Sequence, residues 1–137
     1  MCIRDRFYAG GRWLEDYTQA ERLCSGLANE YSVSYLRDTG RYVAVYSAGD
    51  STDKIVARFA PNPWGPWNEP VVLYQCPEAQ RQKNIICYAA KGHPAILTGP
   101  EELVISYIAN STDFDTMASD AGLYRPRFIK VRFGLGP

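Results

Sequence analysis

From Asn29 onward, short apolar runs dominated by Val, Ile, Tyr and Phe alternate with polar breaks, the pattern of β-strands. The cleanest alternation is Tyr42-Val-Ala-Val-Tyr46, and it has a counterpart 61 positions later in Leu103-Val-Ile-Ser-Tyr107. These runs belong to two longer stretches, Glu30 to Phe59 and His93 to Phe133, that read as one unit written twice. Each opens with a charged or titratable residue before a short apolar run, Glu30-Tyr-Ser-Val33 and His93-Pro-Ala-Ile96. Each then turns on a Gly-containing segment, Asp38-Thr39-Gly40 and Thr98-Gly99-Pro100. Each closes on a matching third strand, Ile55-Val-Ala-Arg-Phe59 and Ile129-Lys-Val-Arg-Phe133. Self-similarity at this period predicts an all-β fold of stacked or radially arranged antiparallel sheets, with a β-propeller as the leading candidate.

The expected strands are 30–37, 41–47, 54–60 and 70–75 in a first unit, then 93–97, 102–109 and 125–133 in a second. Asn84–Ala90 reads as an extended, buried lead-in. Between the third and fourth strands, Pro61 to Pro70 forms a rigid connector, because its prolines fix φ and remove donors while Gly65 permits reversal. Trp64 and Trp67 there cap the sheet edge or, alternatively, face a sugar. Ahead of the strands, Leu14, Tyr17, Ala20, Cys24 and Leu27 carry a spacing that predicts one short amphipathic helix over 14–27, stopped by Gly26. Phe7-Tyr-Ala9 reads as the tail of a preceding strand.

Composition narrows the function more than the fold. Fifteen basic and 15 acidic side chains cancel, so no nucleic-acid or anionic-membrane footprint is expected. No apolar run reaches the 18 residues of a membrane-spanning helix. The 10 Tyr and 3 Trp suit half-buried strand positions, and they also suit stacking on sugar rings. Met1-Cys-Ile-Arg-Asp-Arg6 matches the translation of a sequencing adapter, so residues 1–6 are expected to be a scar and the natural N-terminus to lie further upstream. Cys24, Cys76 and Cys87 show no CxxC or Cys/His ligand spacing, so no metal is expected. Cys76 and Cys87 are either a disulfide at the base of an excursion or two buried free thiols. No phosphate-binding loop, dinucleotide fingerprint or Gly-x-Ser-x-Gly elbow occurs, and no cofactor is expected.

Several segments together resemble a known group: Asn29-Glu-Tyr-Ser-Val33, Trp64-Gly-Pro-Trp67, Cys87-Tyr-Ala-Ala-Lys-Gly-His-Pro94, Leu103-Val-Ile-Ser-Tyr107 with Asn110, and Tyr124-Arg-Pro-Arg-Phe128. The chain resembles the C-terminal part of five-bladed β-propeller proteins related to glycoside hydrolases, whose relatives include endo-arabinan hydrolases and domains of unknown function. The resemblance implies the last two blades, 29–82 and 83–137, the latter lacking its outer strand, with 7–28 left from the blade before. It implies action on, or binding of, an oligo- or polysaccharide, and with it a secreted or cell-surface location. The alternative is a non-catalytic carbohydrate-binding or surface-interaction propeller.

If Glu30 and His93 begin the innermost strands of adjacent blades, both face one mouth of a central channel. Asn110, Tyr124 and Arg125 would then gather beside His93, and Asp50 beside Glu30. Glu30 is the candidate for acid/base catalysis, since a carboxyl group in a partly dry channel can hold its proton longer; the competing role is a carboxylate satisfied by nearby backbone or Arg groups. His93, the only histidine, with Lys91 two residues earlier, can bind a sugar hydroxyl or orient a carboxylate, or simply hold the strand start. Arg125 and Arg127 can pair a substrate carboxylate or form a structural ion pair. Asp113, Asp115 and Asp120 lack a calcium-loop pattern and read as a solvated acidic loop.

Overall fold

A computed structural model describes residues 5–49, 53–96 and 99–134. It is all-β apart from three short helical segments. An N-terminal hairpin pairs β1 (Phe7–Ala9) with β2 (Arg12–Leu14). A four-stranded antiparallel meander follows: β3 (Tyr31–Leu36), β4 (Arg41–Ser47), β5 (Lys54–Ala60) and β6 (Val71–Gln75). The second sheet is a three-stranded meander of β7 (Ile85–His93), β8 (Glu102–Ser111) and β9 (Pro126–Arg132). Helix α1 (Pro77–Arg81) links the sheets, and α2 (Phe114–Ser119) interrupts the β8–β9 connection.

The two meanders pack face to face, and the strand alternation shows why. Along β8, Leu103, Ile105, Tyr107, Ala109 and Ser111 are buried, while the residues between them are half-buried. That one-sided face meets Leu36, Val43, Val45, Ile55 and Ala57 of the first sheet, with Ile85, Cys87, Ala90, Leu123 and Phe133 completing the core. Phe59 and Phe133 cross edge to face at 5.3 Å near one end of the interface, and Tyr74 meets Tyr107 at 5.8 Å nearer the other. Burial of this apolar surface is the main force joining the sheets.

The expected helix over 14–27 is absent. Only a 3₁₀ turn forms, Tyr17–Gln19, capped by Asp16, whose carboxylate accepts from the Thr18 amide at 2.9 Å. Hydrogen bonds from the Thr18 and Gln19 side chains and the Thr18 amide hold the Asp16 carboxyl below the usual carboxylate range. The apolar spacing has a different cause. Leu23, Cys24 and Leu27 border a hollow with Tyr31, Val33 and Ala44, on the face of the first sheet turned away from the second. Arg58 fastens that segment, donating to the Ser25 carbonyl at 3.2 Å and to Tyr46 Oη at 2.9 Å.

The second unit also starts earlier than its pattern implied. His93 does not open the inner strand of the second sheet; it closes it. Residues 85–93 form the full ladder with β8, from Ile85 opposite Ser111 to His93 opposite Val104. Pro94, lacking an amide donor, follows the end of that ladder. A β-bulge between Tyr88 and Lys91, with Ala89 at φ 57°, breaks the alternation midway. The other expected strands lie within a residue or two of those observed.

Candidate functional site at the seam of the first strands

The closest backbone approach between the sheets brings β7 against β3 and β4. Two side chains of the first sheet reach across. Ser47 Oγ accepts from the Ala90 amide at 3.3 Å, and Ser32 Oγ accepts from the Gly92 amide at 2.7 Å. Further along, Asp38 accepts from the Glu101 amide at 3.1 Å. These contacts advance together, so β3 and β7 run in the same sense, edge beside edge. A Cβ on Gly92 would lie 2.9 Å from Leu103 Cδ2 of the adjacent strand β8, inside van der Waals contact, and 3.5 Å from Ser32 Oγ across the seam.

Glu30 lies in the bend immediately before β3 and is exposed. Tyr31 pairs with Tyr46, so one step beyond that register Glu30 stands opposite Ser47. Ser47 in turn holds Ala90, which puts the level of Glu30 at the β7 bulge. Bulges concentrate where a strand re-aims side chains beside functional sites. Lys91, the next residue of β7, is exposed.

The remaining expected site residues do not gather around this point. His93 lies three residues past Ala90, a rise of about 10 Å along the strand. Its Nε2 shares a 2.7 Å hydrogen bond with Ser106 Oγ, and its ring is 6.2 Å from Phe128. Asn110 pairs with Ile86, four residues in the other direction, about 13 Å from the level of Ala90. Its Oδ1 accepts from the Ser111 amide at 2.8 Å. Tyr124, 65% exposed and at φ 53°, anchors its amide on the Ala109 carbonyl at 2.8 Å, and exposed Arg125 follows it. Asn110, Tyr124 and Arg125 therefore gather with one another but not with His93. The nine-residue β7 is the physical reason, because it places His93 and Asn110 near opposite ends of one sheet. Asp50 lies outside the described residues.

A cleft of about 620 Å³ opens at the far end of the sheets between Tyr35–Asp38 and the segments around Pro94–Ile96 and Gly99–Leu103. Two of its carboxylates, Asp38 and Glu102, are engaged structurally. Asp38 holds the Glu101 amide, and Glu102 accepts from the Gly99 amide at 2.9 Å while pairing with Lys130 at 3.0 Å and Arg132 at 2.8 Å. The seam sets a solvent-facing carboxylate beside an irregular strand and is the candidate site taken forward.

A third cluster escaped sequence reading. Glu78 of α1 pairs with Arg127 Nε at 2.8 Å and accepts from Tyr107 Oη at 3.1 Å. Arg127 also donates to the Gly122 carbonyl at 2.7 Å. Burial first, then a hydrogen bond from Tyr74 and the charge of Glu78, pushes the Tyr107 hydroxyl up. Arg127 thus takes the structural ion pair, while Arg125 stays at the surface. Its partners are 49 positions apart, so no local motif announces it. Among the described residues no group of His, Cys, Asp and Glu could hold a metal ion, and no helix is long and apolar enough to cross a membrane.

The profile of one protein family, a domain of unknown function designated DUF5005, matches residues 4–133. The chain belongs to the DUF5005 family. This DUF5005 chain also shares its fold with a crystal structure titled as a "putative hydrolase" from Bacteroides ovatus ATCC 8483, with a TM-score of 0.64 at 22% identity. The alignment covers 95% of this chain and 35% of that one, so the DUF5005 chain spans about a third of its length. No curated protein matches.

Proposed function

We propose that this chain is part of a glycoside-hydrolase-like β-propeller that acts on polysaccharide, with Glu30 supplying an acid/base group or a hydroxyl-binding carboxylate at the seam. The observation that carries the reading is the position of Glu30 beside the β7 bulge, where the first strands of two similar meanders run side by side. Adjacent propeller blades share that relation, with their first strands nearest the axis. The outward faces support it as well. Tyr31, Val33 and Val72 on one side and Phe128 on the other are 49%, 44%, 56% and 60% exposed, as expected of sheets that meet further sheets in a longer chain. Residues 29–82 and 83–137 would then be successive blades of a five-bladed ring, related to the endo-arabinan hydrolases.

Lys91 and His93 on one side of Glu30, and Asn110, Tyr124 and Arg125 on the other, would contact the ligand at separated points. That spread suits an extended polymer better than a single sugar, and a polymer substrate implies a secreted or cell-surface location. A non-catalytic carbohydrate-binding propeller is the second reading. It is favoured by one consideration: a single carboxylate, Glu30, is assigned at the level of the β7 bulge, whereas glycosidic hydrolysis ordinarily takes two. A panel of plant and bacterial cell-wall polysaccharides, assayed with the longer protein, separates the two. Release of oligosaccharides supports the enzyme, retention on the polymer without cleavage supports the binder, and neither outcome would remove carbohydrate from the account.

A further inference from the structure

Tyr124 combines a left-handed backbone, φ 53°, with a side chain 65% exposed. That conformation is costly for a bulky residue and persists only where its surroundings over-determine it. Among the described residues its ring and hydroxyl make no hydrogen bond or ring contact that would offset the cost. The backbone around it, by contrast, is held at every point. The Tyr124 amide donates to the Ala109 carbonyl at 2.8 Å, and Leu123 before it is buried. Asp120 draws in the preceding turn, its Oδ1 accepting from the Gly122 amide at 2.7 Å and its carbonyl from the Leu123 amide at 2.9 Å. Arg127 closes the clamp. Its Nη2 donates to the Gly122 carbonyl at 2.7 Å and its Nη1 to the Arg125 carbonyl at 3.3 Å, so one guanidinium holds the chain on both sides of Tyr124. Its Nε is anchored in turn on Glu78 of α1 at 2.8 Å. All three guanidinium nitrogens are used, which the planar fork of arginine permits.

We infer that Arg127, anchored by Glu78, is a positioning residue for ligand binding: it locks Tyr124 in a strained conformation that presents the ring as a stacking platform for one sugar ring of a polysaccharide. The inference rests on the carbohydrate reading above and adds to it the residue that fixes the platform. A phenol ring offers the C–H face of a sugar an apolar surface, and its hydroxyl serves as donor or acceptor to a sugar hydroxyl. Asn110, next to Ala109 on β8, uses its Oδ1 on the Ser111 amide, which leaves its Nδ2 to donate. Strain held in place before binding serves affinity, because a ring already ordered loses less freedom when the polymer arrives.

The test measures melting temperature and, well below it, the affinity of the longer protein for soluble members of the cell-wall panel, arabinan, xylan and polygalacturonan among them, by affinity electrophoresis. Tyr124→Ala is expected to weaken binding of the polymer that the parent retains by about tenfold. Tyr124→Gly is expected to bind as poorly but to melt above Tyr124→Ala, since glycine adopts this φ without strain. Arg127→Gln is expected to lose about as much affinity as Tyr124→Ala, and the double variant to bind no more weakly than Tyr124→Ala alone. A purely structural Arg127 would lower the melting temperature and leave affinity untouched. Should Arg127→Gln fail to fold, Glu78→Gln is read in its place with the same expectation. Affinity equal to the parent's in Tyr124→Ala, or in the folded Arg127 or Glu78 variant, would overturn the inference and leave the carbohydrate reading standing, and so would losses that simply add. A parent that binds no polymer of the panel would overturn both.

Discussion

The Ala90 amide, left without a ladder partner by the β7 bulge, donates to Ser47 Oγ at 3.3 Å, and this contact sets the level at which the two sheets meet. Both groups are buried, so neither can turn to water instead. Ser47→Ala leaves the amide unsatisfied and is expected to destabilise the chain by about 1–3 kcal/mol. Urea denaturation measures it, and an unchanged midpoint would mean that water or a shifted register supplies the missing acceptor.

Two residues on, Gly92 tests the packing of β7 against its own neighbour β8. The added methyl of Gly92→Ala meets the end of Leu103, a side chain only 1% exposed. The expected cost is about 1–3 kcal/mol from overpacking. Pairing the change with Leu103→Ala relieves the clash, so the double variant should be more stable than the sum of the two single losses predicts. Simple additivity would show that the clash is not the cause.

Glu102 gives the fold an acid-sensitive point. The Gly99 amide, then Lys130 and Arg132, hold its carboxyl down to about 2. Folding therefore favours the carboxylate. The stability it contributes is complete above its ordinary value of 4.5 and is lost as pH falls from there through about 2. Glu102→Gln should flatten the pH dependence of unfolding within that window and leave it unchanged above pH 6. A variant whose acid limb overlays the parent's would show that other carboxylates set it.

Much of the fold was legible because its signals are local. Tyr42–Tyr46 and Leu103–Tyr107 alternate cleanly, and prolines and glycines mark the connector from Pro61 to Pro70. Strand β7 was legible only in part: Asn84–Ala90 read as an extended lead-in, but its continuation to His93 did not. Its Ala89, Ala90 and Gly92 are weak strand formers, and the bulge shifts the alternation, so His93 before Pro94 imitated a strand start. The helix expected over 14–27 failed differently: a helical spacing of apolar residues arose in an irregular segment that lies along a sheet. Placement of Glu30 ahead of β3 was readable, whereas the Glu78–Arg127 pair depends on a tertiary contact, and Cys76 and Cys87 prove to be buried free thiols.

The spread of the expected site residues bears on their roles. Glu30 stands at the bulge, with His93 and Asn110 on either side of it along β7. Were all of them bound to one sugar ring, β7 would have to begin at His93, and it begins at Ile85. Contacts at separated points on one polymer remain consistent with this geometry.

The most direct test of the Glu30 assignment is the rate at which reducing ends are released from a cleaved polysaccharide by the longer protein and by its Glu30→Gln variant. Gln keeps the shape and hydrogen-bonding reach of Glu but can neither give nor take the proton. The account predicts a fall of at least about 100-fold in turnover with the melting temperature unchanged. Turnover equal to that of the parent would contradict it and take Glu30 out of the chemistry.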